Sequence, residues 1–168
     1  LGAVLGGLAI KSMAPGPVPL PHRQLEVALP DGAIASASEP KISPDGTMAV
    51  YVLRNRLWLR RFDTGVTQEL AGTEDADYPF WSPDSRQIGF FVRTTARRMA
   101  IDGGSPQMVC DMPDGGRGAG GTWDETDHFL FTLGDSNGIM TVSSRGGTPM
   151  TYIEPDTTME QDFHNPHV

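Results

Sequence analysis

Ile42-Ser-Pro-Asp-Gly46 and the apolar run behind it, Met48-Ala-Val-Tyr-Val-Leu53, return as Trp81-Ser-Pro-Asp-Ser85 and Gln87-Ile-Gly-Phe-Phe-Val92. Pro44 and Pro83 lie 39 positions apart. In such a turn proline presets φ, aspartate bonds its own backbone, and a closing glycine takes the left-handed conformation. The run after it is short and rich in β-branched and aromatic residues, which predicts a strand. A third, degenerate copy has Gly121-Thr-Trp123-Asp-Glu where Pro79-Phe-Trp81-Ser-Pro stood, followed by His128-Phe-Leu-Phe-Thr-Leu133. Trp81 and Trp123 are 42 positions apart.

The second halves repeat too. Arg98-Met-Ala-Ile-Asp-Gly-Gly-Ser-Pro-Gln-Met-Val109 matches Ile139-Met-Thr-Val-Ser-Ser-Arg-Gly-Gly-Thr-Pro-Met-Thr151, with Gly103 and Gly146, and Pro106 and Pro149, each 43 positions apart. A period near 40 to 45 residues with four short strands per unit is the signature of a β-propeller blade. The Ser-Pro-Asp turn joins the first strand to the second. Asp63-Thr-Gly65 and the paired glycines join the third to the fourth as hairpins. Val50, Val52, Ile88, Phe90, Phe129 and Phe131 fall on second strands, which neighbouring blades cover on both faces.

These repeats predict an all-β chain: a partial propeller over residues 23–168, with blades at about 34–70, 76–110 and 117–153 and a fourth starting near Phe163. Gln24-Leu-Glu-Val-Ala-Leu29 alternates ahead of Pro30-Asp-Gly32 and reads as an extra strand of the kind that completes a last blade. Closed propellers take four to eight blades. Three and a fraction are therefore expected to be a fragment that exposes apolar blade faces. Leu1–Ile10 carries no charge before Lys11 and is too short to span a bilayer, which needs about 20 residues. Residues 1–12 read as the far end of a transmembrane helix, a signal-peptide core, or an ordinary buried segment. Pro15-Gly-Pro-Val-Pro-Leu-Pro21 makes 13–22 an extended, proline-rich linker.

Composition agrees. The 168 residues, 38% hydrophobic, suffice for one domain with a core. Twenty Gly and fourteen Pro, spread between short apolar runs, suit turns and strands better than long helices. A net charge of −8 repels a phosphate backbone, so nucleic acid is not an expected partner. The single cysteine, Cys110, excludes an internal disulfide and a cysteine-based zinc cage.

The Pro-Asp-Gly repeats resemble those of TolB-type, WD-repeat-like propellers. More narrowly, Tyr78-Pro-Phe-Trp-Ser-Pro-Asp-Ser85, Ile101-Asp-Gly-Gly-Ser-Pro106, Arg117-Gly, Gly121-Thr-Trp123 and Arg145-Gly-Gly-Thr-Pro149 are similar to the C-terminal propeller of bacterial transmembrane serine/threonine protein kinases. That resemblance covers nearly the whole chain. It implies a cytoplasmic kinase first, then one membrane helix, a proline-rich spacer and an extracytoplasmic, periplasmic propeller. It carries over no kinase catalytic motif, so the segment itself is expected to be no enzyme.

Other motifs yield to simpler readings. Gly116-Arg-Gly118-Ala-Gly-Gly121 fits the G-x-G-x-x-G phosphate loop, but a strand follows where a helix N-terminus is needed, so it reads as a glycine-rich interblade loop. Gly134-Asp-Ser136-Asn-Gly138 fits G-x-S-x-G, but Ile139-Met-Thr-Val142 continues as a strand, so it reads as a hairpin loop. Asp162, His164 and His167 follow no known metal spacing and read as loop residues. His128 and Cys110 sit in strands or at their edges, where burial explains them. Trp58, Trp81 and Trp123 are expected at equivalent blade positions as inter-sheet packing. The pairs Arg60-Arg61 and Arg97-Arg98 are expected at similar blade positions, as solvated strand ends or a small basic rim.

No catalytic, cofactor-binding or metal residue is assigned, and no cofactor is expected. The expected function is a non-catalytic sensor or protein-interaction module that meets a protein or extracellular ligand through its interblade loops and the membrane through an upstream helix. Two alternatives stand beside it. One is the gating propeller of a prolyl-oligopeptidase-like serine peptidase, which requires a downstream hydrolase domain. The other is a free periplasmic TolB-like scaffold.

Overall fold

A computed structural model describes residues 39–133 and 138–154, all within the second of the chain's two units, Asp31–Val168. The expected membrane or signal segment, the linker, the strand at Gln24–Leu29, Ser136, Asp162, His164, His167 and the start of a fourth blade lie outside these residues. The described chain forms three antiparallel four-stranded sheets, each built from four consecutive strands in chain order. The first holds β1 (Lys41–Ile42), β2 (Met48–Leu53), β3 (Arg56–Arg61) and β4 (Thr67–Glu69). The second holds β5 (Ala76–Trp81), β6 (Gln87–Val92), β7 (Thr95–Ala100) and β8 (Gln107–Asp111). The third holds β9 (Gly118–Trp123), β10 (His128–Leu133), β11 (Ile139–Ser143) and β12 (Met150–Ile153). The one helical turn among the described residues is 3-10, at Pro113–Gly115. None of their helices is long and apolar enough to cross a membrane. The described residues therefore form three successive blades of a β-propeller architecture.

The period of two along each strand decides how the blades stack. Met48, Val50 and Val52 of β2 pack with Leu57 and Leu59 against Trp81, Ile88, Phe90 and Met99 of the second sheet. The alternate residues Phe80, Phe91 and Ala96 turn the other way, onto Trp123, Phe129, Phe131 and Val142 of the third. The middle sheet is thus covered on both faces, and Phe90 and Phe129 are fully buried. Burying a side chain of that size stabilises by roughly 1.5–3 kcal/mol.

The first two turns between first and second strands hold the same geometry. The hydroxyl of Ser43 donates to Asp45 Oδ1 (2.6 Å), and that oxygen accepts the N–H of Thr47 (3.0 Å). Ser82 and Asp84 repeat this at 2.7 Å, with the N–H of Arg86 at 3.1 Å. Gly46 closes the first turn at φ 70°, and Ser85 takes the same conformation at φ 60°. The third turn is one residue shorter. There Asp124 Oδ1 accepts the N–H groups of both Thr126 (2.9 Å) and His128 (2.8 Å). Asp127 takes the left-handed position at φ 65°.

Three expectations need correction. Gly118–Gly121 is no loop: it is part of β9, and two of its glycines, Gly118 and Gly121, are seats for phenylalanine rings. A Cβ at Gly121 would lie 2.8 Å from Phe80, and one at Gly118 would lie 2.6 Å from Phe91. Trp58 is not equivalent to the other tryptophans, since it pairs with Tyr51 in the interior of β3. Trp81 and Trp123 each end the first strand of their sheet and pack in the core against the preceding one. Finally, the arginine pairs are two positions out of step: Arg97 pairs with Phe90 as Trp58 pairs with Tyr51, which places Arg60 opposite Ala49. They also bond separate partners, Arg60 to Thr67 and Arg98 to Gln107.

Candidate functional site

The first strand of each blade is a sheet edge, and β5 and β9 face one another over more of their length than any other strands of different sheets. Such edges carry backbone N–H and C=O groups without ladder partners. Where β5 and β9 begin, a cleft of about 520 Å³ opens. Val52, Ala76 and Phe91, all buried, make its apolar floor. Asn55, Asp75, Asp77, Tyr78, Arg93 and Arg117 make its polar rim. A second cleft of about 320 Å³ shares Tyr78 and Ala119 and runs on to Glu39, Lys41 and Gly120.

Local backbone geometry fixes this rim. Of the eight described non-glycine residues with positive φ, five border the cleft or its turns: Arg54 (53°), Asn55 (58°), Asp75 (58°), Tyr78 (46°) and Arg93 (52°). Arg54-Asn55 is a two-residue hairpin loop with both φ positive, the turn whose twist matches its strands. Tyr78 sits where the pairing of β5 with β6 slips, between Asp77↔Phe91 and Phe80↔Gly89. Asp77 Oδ1 accepts the N–H of Tyr78 (2.9 Å), and Pro79 beside it has no N–H to give. A bulge of this kind re-aims a side chain, and Tyr78 stands 38% exposed on the rim.

The interblade connections are pinned from beneath. Thr73 is fully buried; its hydroxyl donates to the carbonyl of Leu70 (2.6 Å) and accepts the N–H of Leu57 (3.0 Å). This anchors the loop that presents Asp75, whose carboxylate meets Arg93 at 3.0 Å. The N–H of Met112 donates to the carbonyl of Thr94 (2.8 Å), tying the connection that carries Arg117 to the β6–β7 turn. Among the described residues, Asp77 and Arg117 form no ion pair. The mouth thus offers an apolar floor, a satisfied ion pair, and two opposite charges without an ion-pair partner among the described residues, half-buried Asp77 and exposed Arg117, an arrangement suited to binding.

The residues weighed from sequence lie elsewhere. Cys110 is buried in β8, and burial pushes its thiol up to about 11, so it stays protonated and inert near neutrality. His128 opens β10 with Nδ1 within 3.1 Å of the Thr126 hydroxyl. The indole N–H of Trp81 donates to the carbonyl of Lys41 (2.8 Å), and that of Trp123 to Asp127 (3.0 Å). Among the described residues no group of three or more His, Cys, Asp or Glu side chains is placed to hold a metal. The rim was not read from sequence. Its one signal was Pro79 inside a strand pattern, which marks an edge or a bulge.

No protein-family model matches the chain. An uncharacterized peptidase of Bacillus subtilis, YuxL, is 28% identical over 99 residues, covering 49% of this chain and 15% of its own length. Among solved structures, virginiamycin B lyase of Staphylococcus aureus superposes with a TM-score of 0.56 at 18% identity, covering 70% of this chain and 41% of the lyase. A TolB-like protein of Agrobacterium tumefaciens gives 0.55 at 22% identity, covering 66% of this chain and 46% of that one. The chain thus spans less than half of each. At these identities the structural likeness establishes the fold, and the lyase's activity belongs to the lyase.

Proposed function

We propose that this chain is a non-catalytic sensor or protein-interaction module, the extracytoplasmic propeller of a membrane-anchored bacterial serine/threonine protein kinase. In this reading the ligand, a protein or an extracellular molecule, docks at the mouth around Tyr78. The observation that carries the binding role is that mouth itself, where strained turns and a bulge hold polar side chains around an apolar floor. Non-glycine residues held in left-handed backbone cluster at ligand-binding sites, although they also close ordinary turns, as Ser85 does here. The kinase context rests on the series from Tyr78-Pro-Phe-Trp-Ser-Pro to Arg145-Gly-Gly-Thr-Pro.

The test is a photo-crosslinking residue at position 78 in the full-length, membrane-bound protein. The expected result is a discrete extracytoplasmic adduct, together with kinase autophosphorylation that changes at least severalfold in Tyr78→Ala. Position 78 inaccessible from outside the cytoplasm, or no adduct there, would overturn the reading.

The match to YuxL favours a second reading, a propeller that gates a serine peptidase. A hydrolase domain encoded downstream, with Tyr78→Ala altering KM for long peptides but not for short ester substrates, would decide for it.

A further inference from the structure

We infer that the Tyr78 mouth takes a short peptide with both ends free, its terminal carboxylate on Arg117 and its terminal ammonium on Asp77. This rests on the mouth being the binding surface. Four formal charges line the cleft: Asp75, Asp77, Arg93 and Arg117. Asp75 and Arg93 satisfy one another at 3.0 Å, which leaves Asp77 and Arg117. These two are not paired with each other, and Oδ1 of Asp77 is held in place by the N–H of Tyr78 (2.9 Å).

This charge pattern selects among ligand classes. A simple anion such as phosphate meets Arg117 but also two carboxylates. A simple cation meets Asp77 but also two guanidinium groups. A molecule with one charge of each sign is the complement of both. The guanidinium fork of arginine suits a carboxylate, which it can bind through two parallel hydrogen bonds. Between the termini, the edge strand β9 offers backbone groups to an extended peptide, whereas on β5 the N–H groups of Ala76 and Tyr78 are already bonded and Pro79 has none. The floor of Val52, Ala76 and Phe91 accepts a small apolar side chain. The volume of about 520 Å³ lies within the range of small-ligand sites.

The test is titration calorimetry of the full-length protein at low ionic strength with the tripeptide Ala-Leu-Ala, its N-acetyl form and its C-terminal amide. Each blocked form is expected to bind at least tenfold more weakly than the free tripeptide. Arg117→Gln should make amidation matter little, Asp77→Asn should do the same for acetylation, and inorganic phosphate should not displace the peptide. Blocked and free forms binding within twofold of each other would overturn the inference. If that binding still vanished in Tyr78→Ala, the mouth would stand as a binding surface with a different ligand chemistry. Displacement by phosphate, or no binding of any tripeptide, would also overturn the inference, while the crosslinking at position 78 judges the mouth separately.

Discussion

Ser85 holds a left-handed backbone that costs a non-glycine residue about 1–2 kcal/mol, where its counterpart Gly46 adopts it freely. The compensation is spatial: the Ser85 hydroxyl, buried, accepts the N–H of Asp45 across the blade boundary at 3.1 Å. Ser85→Ala should therefore destabilise by about 1 kcal/mol in urea unfolding, the worth of one hydrogen bond. Ser85→Gly should lose less, because glycine relieves the strain. The turn aspartates give a pH signature. Hydrogen bonds from Ser43 to Asp45 and from Ser82 to Asp84 hold both carboxyls below their ordinary range. A carboxyl lowered in the folded state contributes stability that is fully present above the unfolded pKa, about 3.9, and is lost as pH falls through the folded value. The urea midpoint should accordingly be flat from pH 7 to 5 and fall below about pH 4, more gently in the Asp45→Asn/Asp84→Asn double variant. The proline and aspartate of the two Ser-Pro-Asp turns were legible in sequence because their bonds are local. The role of Ser85 was not, because its partner lies 40 residues away.

At the scale of strands, glycine in β6 and β9 is a packing device. Phe80 lies between Gly89 and Gly121, where a Cβ would meet its ring at 2.2 and 2.8 Å, and it packs edge-on to Phe129 with centroids 4.9 Å apart. Gly121→Val should therefore cost about 1–3 kcal/mol or more through overpacking, and Phe80→Ala about 3–5 kcal/mol through its cavity. Because the two changes relieve one another, the double variant measured by chemical denaturation should lose clearly less than their sum. The repeat gave away the strands but not these seats. A glycine run is also the ordinary mark of a loop, and only the neighbouring sheet shows that Gly118 and Gly121 must leave room for rings. The offset of Arg60-Arg61 against Arg97-Arg98 was hidden for a related reason: similar strings of residues do not reveal hairpin register. The slip that turns Tyr78 outward is likewise a property of pairing, which a single strand's sequence does not carry.

Across the molecule, stability resides in the two cores between blades rather than in surface charge. The Arg61–Asp102 contact between the first two blades spans 3.4 Å in the open, where such pairs are worth at most about 1 kcal/mol. What holds the mouth in shape is the packing of the middle sheet against both neighbours, because Phe91 is at once part of the second core and the floor of the cleft. The period near forty residues made this stacking legible, since a repeated four-strand unit buries both faces only by stacking on copies of itself. The measurement that tests it most directly is the set of nuclear Overhauser contacts from the Phe80 ring. Stacked blades predict contacts to the α-protons of both Gly89, its neighbour in the same sheet, and Gly121, 41 positions on in the next. A Phe80 ring that reaches Gly89 but shows no contact to Gly121 would contradict the stacking, and the mouth built upon it.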